Sequence, residues 1–247
     1  MKRTILLVQS LITLLGAGHI ALAQRDYEPE YLFDMKKVKL TVFGNTSDEF
    51  SFVDGVNAYS IGSSGAFLFN YQYFIGMYNL DVQSDIMRDN IYPNGHHPVT
   101  NPLDPQYVYN SISFHHGGLW LGYIHKPNKL LHWGADLKVG MGIIALYDRD
   151  LEMSVFNEHH KDWISVIQPE VNIEFNFTRW FRIGMGLGYR QVFGVDNTEY
   201  TNDQGHSVRL FEPGQFSSPT GTIKFLFGGF APRPHGKNNR FGENGFD

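Results

Sequence analysis

Residues 169–190 read PEVNIEFNFTRWFRIGMGLGYR. Glu170, Glu174, Arg182 and Arg190 stand at even positions, while Val171, Ile173, Phe175, Phe177, Phe181, Ile183, Met185 and Leu187 stand at odd ones. Successive strand residues point to opposite faces, so the stretch predicts a hairpin with one apolar and one charged face, turning at Thr178-Arg179. Alternation alone leaves open which face is the inside, and the functional reading turns on that choice.

The segment before it behaves the same way. In 130–146, Leu131, Trp133, Ala135, Leu137, Val139, Met141 and Ile143 share one face, and His132, Asp136 and Lys138 share the other with glycines. In 163–177, Trp163, Ile167, Pro169, Val171, Ile173, Phe175 and Phe177 oppose Gln168, Glu170, Asn172, Glu174 and Asn176. These apolar faces outlast the roughly five or six residues of an average strand. They suffice for a tilted strand crossing a bilayer, which takes roughly 9–11 residues. Pro169 has no N–H for a ladder, so a bulge or local break is expected there.

Alternating segments at 36–44, 60–70, 73–82, 111–124, 130–146, 163–177, 180–193 and 220–230 make about eight strands, and none carries helical periodicity. Three connections turn at once, through Asn70-Tyr71, 126–129 and Thr178-Arg179. The other four read as long polar loops: NTSDEFSFVDGVN, QSDIMRDNIYPNGHHPVTNPLDPQ, YDRDLEMSVFNEHHKD and GVDNTEYTNDQGHSVRLFEPG. An up-and-down meander then has its short turns at one end and its long loops at the other, as outer-membrane barrels do.

The first 23 residues begin with Lys2 and Arg3, continue through an apolar run from Ile5 to Leu15 and end in Ala21-Leu22-Ala23. That is the pattern of a secretory signal peptide cleaved near Ala23/Gln24. Residues 24–35 read as a periplasmic segment, 36–230 as the barrel and 231–247 as a polar, disordered tail. The 247-residue chain has no cysteine, which excludes disulfides, thiol nucleophiles and thiolate metal sites. Its formal charge of −5 gives no sign of a nucleic-acid partner.

With export and strand length taken together, the odd face is expected to meet lipid and the charged face to fill the interior. An eight-stranded barrel is just wide enough for side chains to fill. Asp136, Glu170 and Glu174 are then expected to pair with Lys138, Arg182, Arg190 and Lys224 in a packed polar core without an open pore. Phe177, Trp180 and Phe181 near a short turn, and Tyr147, Trp163 and Phe193 toward the loops, suit the two membrane interfaces.

In strand count, loop asymmetry and the last strand TIKFLFGGF, residues 36–230 resemble the small eight-stranded outer-membrane β-barrels of Gram-negative bacteria, the OmpA-like and OmpX-like group. The resemblance implies an all-β antiparallel transmembrane barrel in the bacterial outer membrane, with Phe230 as the aromatic shown to the barrel-assembly machinery. Outer-membrane lipid and that machinery are the expected partners, and no cofactor is expected.

Two further clusters bear on chemistry. His96-His97, His159-His160 and His206 lie in different loops expected on one face, which makes them candidate metal ligands, although solvated loop histidines explain them as well. Ser113 and His115 share a parity within SISFHHGG, and some outer-membrane barrels are lipid-modifying hydrolases that use Ser, His and an acid on the strand surface. Ser111, Ser113, His115, Gly117 and Leu119 read equally as inward filler. The leading function is a structural or interaction role through the loops. A hydrolase, a small porter of apolar molecules and a soluble secreted β-barrel are the alternatives.

Overall fold

The computed structural model describes residues 38–88, 108–150, 155–196, 199–201, 207–212 and 214–231. The signal segment 1–23, the segment 24–35 and residues 232–247 of the tail lie outside them. Eleven strands follow in order: β1 Leu40–Val53, β2 Val56–Phe69, β3 Tyr73–Val82, β4 Ile86–Arg88, β5 Val108–His125, β6 Leu131–Asp150, β7 Val155–Asn176, β8 Phe181–Phe193, β9 Glu199–Thr201, β10 Ser207–Arg209 and β11 Ser218–Gly228.

Eight of them close on themselves as an antiparallel up-and-down barrel. Each pairs with its neighbour in the chain, β3 with β5 across the short β4, and β1 with β11 at the seam. Partners traced from Leu40 through Phe69, Tyr73, Tyr123, Ala135, Val171, Leu187 and Gly221 return to β1 at Phe50, a stagger of 50 − 40 = 10 residues. Eight strands with that stagger tilt by about 40° to the barrel axis.

The charged parity faces inward. Glu170 and Glu174 are 2% and 6% exposed, whereas Val171 and Ile173 between them are 60% and 52% exposed. Three layers fill the barrel. An apolar cluster at the short-turn end contains Phe43, Leu68, Phe74, Trp120, Leu226 and Phe230. A second at the opposite end contains Val53, Ile112, Phe114, Ile144, Val166 and Val192, with Phe211 and Phe216 from the connection between β8 and β11 folded in. Between them lie the charged residues. Outside, Tyr73 against Tyr123 and Phe181 against Phe227 ring the short-turn end, while Phe50 against Tyr59 and exposed Trp163 and Phe193 stand toward the other.

Two sequence expectations are corrected here. The first polar stretch is strand, not a long loop: β1 and β2 run through NTSDEFSFVDGVN and turn on Asp54 and Gly55, both left-handed at φ 53° and 74°. An Asp-Gly pair in that conformation is a type I′ hairpin, whose twist matches the flanking strands. The stretch looks like loop because its inward residues Asn45, Ser47, Glu49 and Ser51 are polar. Likewise β6 and β7 extend to Asp150 and from Val155, consuming most of the third supposed loop. At Pro169 the expected bulge or local break takes the form of a break, without a bulge. Pro169 pairs with Leu137 in β6, and the ladder to β8 simply skips from Ile167↔Gln191 to Glu170↔Gly188 in unchanged register. The missing N–H costs a local break, and the actual irregularities lie near Tyr147 and Arg149.

Gly55→Ala is expected to lose about 1–2 kcal/mol, the cost of a left-handed alanine, and Gly55→Asn less. Equilibrium unfolding in denaturant checks the order.

Candidate functional site

The barrel interior is where this chain concentrates its ionisable chemistry. Outward positions of 131–143 in β6, 167–175 in β7 and 181–189 in β8 are apolar, so alternation there leaves only inward positions for charge. Lys224, from β11, reaches Asp136 Oδ2 at 2.8 Å and Glu170 Oε1 at 2.6 Å. Lys138 meets Glu170 Oε2 at 3.2 Å, Thr222 donates to Glu170 at 2.9 Å, and Asn172 donates to Asp136 at 2.7 Å. This central group joins β6, β7 and β11. A Cβ on Gly186, in β8, would collide with Glu170 Oε1, so the glycine makes the room that the carboxylate occupies.

Nearer the short turns, Arg182 pairs with Glu174 Oε2 at 3.1 Å, and His132 meets the same oxygen at 3.1 Å. The guanidinium also donates to the Pro127 carbonyl and lies 4.1 Å from the centre of the Phe230 ring. Phe230 is thus buried under Arg182 at the barrel mouth. Toward the other end, Arg190 pairs with Glu49 at 3.0 Å and donates to Ser51 Oγ and to the carbonyls of Phe52 and Phe216. Gln168 donates to the second Glu49 oxygen at 2.7 Å.

All seven charged residues named from the sequence therefore lie inside the barrel, each in an ion pair. Glu49 is not among those seven, because the sequence around it reads as loop. With Glu49 included, the ionic layer between the two apolar clusters sets four carboxylates against four Lys and Arg side chains, while buried Asp162, nearer the loop end, bonds to His160. His132 was visible on the polar face of its strand without being given a partner.

The reading of Ser113 and His115 as inward filler is reversed. In β5 the inward residues are Ile112, Phe114, His116 and Trp120, all buried, while His115 and Leu119 are exposed on the outer face. The doublets His115-His116 and Gly117-Gly118 put the same residue type on both faces, so parity was unreadable there. Asp81 stands directly across from His115. His116 hydrogen-bonds Tyr78 Oη through Nδ1 at 3.0 Å. Of the candidate metal ligands, His96, His97, His206 and the His159 side chain lie outside the described residues. His160 is bonded to buried Asp162 at 2.7 Å, and among the described residues no three such groups converge on a metal position.

The strands and their closure define the eight-stranded, up-and-down class of β-barrel. Among solved structures, the chain is similar to the attachment invasion locus protein Ail of Yersinia pestis (8% identity, TM-score 0.42, 76% of this chain and 97% of that one). It is also similar to Neisserial surface protein A (8%, 0.45, 77% and 97%) and to a major outer membrane protein of Thermus thermophilus (10%, 0.45, 76% and 98%). No family model and no curated protein matches the chain.

Glu49→Ala is expected to destabilise the barrel by about 3–5 kcal/mol, since it leaves the Arg190 charge buried without its partner. Replacing both residues, as Glu49→Leu with Arg190→Met, is expected to recover most of that loss. Unfolding of the single and double variants in detergent checks this.

Proposed function

We propose that this chain is an integral outer-membrane protein with a side-chain-filled interior, acting as a structural or interaction protein through the end opposite its short turns and conducting no ions. The observation that carries the reading is the inversion of polarity. Paired charges occupy the inside, while Val171, Ile173, Met185, Leu187 and their neighbours form a broad exposed apolar surface bounded by aromatic rings. In water such a surface drives aggregation, whereas in a bilayer it is the solvated face. An export signal over 1–23 supports the location. Outer-membrane lipid and the barrel-assembly machinery are the proposed partners, with Phe230 read by the machinery before folding buries it.

The layered interior favours a plug over a porter. The ionic layer is roofed and floored by apolar clusters. Purified protein in planar bilayers is expected to show no discrete conductance, and stepwise openings would overturn the closed interior. In cell fractions, it is expected in the outer membrane with a gel mobility that changes on boiling. Recovery in the soluble fraction would sink the membrane reading.

The two faces also differ in what they tolerate. Ile173→Arg is expected to cost about 2–4 kcal/mol in lipid vesicles, as a cation facing hydrocarbon does. Ile173→Leu is expected to be near neutral in the same unfolding measurement.

A further inference from the structure

The outer surface is not uniform. On β7, β8 and β11 it presents Val171, Ile173, Met185, Leu187 and Ile223. On β1, β2 and β3 it carries Thr46, Asp48, Ser63, Asn79 and Asp81, with exposed Val42, Phe67, Ile75 and Met77 on the turn side, Phe50 and Phe52 beyond Asp48 on β1, and Ile61 in register between Asp48 and Asp81. Below the polar groups Gly44 and Gly65 face each other across β1 and β2. A Cβ on Gly65 would meet nothing within 4 Å, so nothing inside the chain requires a glycine there.

A carboxylate and an amide, Asp48 and Asn79, in a hydrocarbon belt are costly unless something polar covers them. Between membrane segments, association is favoured by small residues that permit close approach and by polar side chains that hydrogen-bond across the contact. We infer that the outer face of β1, β2 and β3 is a lateral interface with a second copy of this chain. The inference rests on the membrane location proposed above.

The argument for a second copy is complementarity. The register runs Asp48↔Ile61↔Asp81 across the three strands. Each strand crossed in this direction climbs about 3 Å toward the loop end, and two residues along a strand span about 5 Å of height at the same tilt. Asn79, two residues short of Asp81, therefore stands within about 1 Å of the height of Asp48. A twofold axis along the membrane normal, passing outside β2, sets β1 of one copy against β3 of the other at equal height. Asp48 then faces Asn79 of the second copy, and the contact occurs twice.

The hydrogen-bonding groups match. Asn79 uses its oxygen to accept from Ser63 Oγ at 2.6 Å, and no hydrogen bond among the described residues uses its two amide donors. Asp48 accepts from Tyr59 through one oxygen, at 2.5 Å, which leaves the other for a donor from outside. Each copy thus offers a donor and an acceptor at the same level, while Gly65 near the axis lets the sheets approach.

The absence of native cysteine makes a clean test. Gly65→Cys, oxidised in outer-membrane preparations, is expected to give mainly a disulfide-linked species of twice the chain mass. Leu187→Cys, at a site 76% exposed on the far side of the barrel, is expected to stay monomeric. Adding Asn79→Leu to Gly65→Cys keeps the face compatible with lipid and is expected to lower the dimer yield at least about fivefold, the equivalent of one interhelical-strength polar contact. Equal crosslinking at both sites, a product of another mass, or no product from protein that is membrane-bound and heat-modifiable overturns the interface alone. Protein that is soluble and unchanged on boiling overturns the location and the interface with it.

Discussion

Charge can be kept inside a protein only where each group finds its opposite, and here the opposites come from strands far apart in the chain. Lys224 of the last strand holds Asp136 and Glu170 of the middle ones, and Arg190 holds Glu49 of the first. Such pairs add little net stability over a well-packed apolar core, because desolvation consumes most of the attraction. Their effect falls on alternatives. A one-residue slip in any of these strands would turn the ionic side chains toward lipid and the apolar ones inward, so each pair fixes both parity and register. Close approach of Gly186 to Glu170 shows how far the backbone has been fitted around the charges.

The interior is graded along its length. Arg182 and Arg190 each sit where the ionic layer meets an apolar one, and each guanidinium lies over a ring, Phe230 in one case and Phe114 in the other. A guanidinium suits that boundary because its edges donate hydrogen bonds while its faces accept aromatic contact. Lysine has no such faces, and the two paired lysines occupy the middle among carboxylates, with Lys224 Nζ also 5.7 Å from the centre of the Trp120 ring. At the far end Phe216 contributes both its ring to the apolar cluster and its carbonyl to Arg190.

What the sequence disclosed follows from how strongly each strand separates its faces. In β8 and in the parts of β6 and β7 away from their loop ends, one parity is apolar and the other charged, and both the strands and their inside could be read from residues alone. In β1 the stretch Asn45 to Ser51 is polar on both parities up to Phe50, because its inner residues serve the ionic core and Thr46 and Asp48 lie outside. The period of two disappears and strand passes for loop. In β5 repeated residues erase parity in the same way. Both failures fall on the side of the barrel whose outer face departs from a purely apolar surface. Ion-pair partners were legible only as a pool of charges, since Lys224 and Asp136 are 88 residues apart and only the closed register brings them together. The inward fold of Phe211 and Phe216 left no periodic trace.

The seam between β1 and β11 has a consequence for how the chain reaches this state. Every other strand pair is a neighbour in sequence and can form locally, but the seam joins the first strand to the last. Until β11 arrives, Asp136 lacks its lysine, Glu170 keeps only Lys138, and the sheet has two open edges, which are templates for mispairing. A nascent or truncated chain is therefore not a smaller version of the barrel. It is an open ribbon with uncompensated carboxylates, and the final eleven-residue strand completes hydrogen bonding and charge balance in one step.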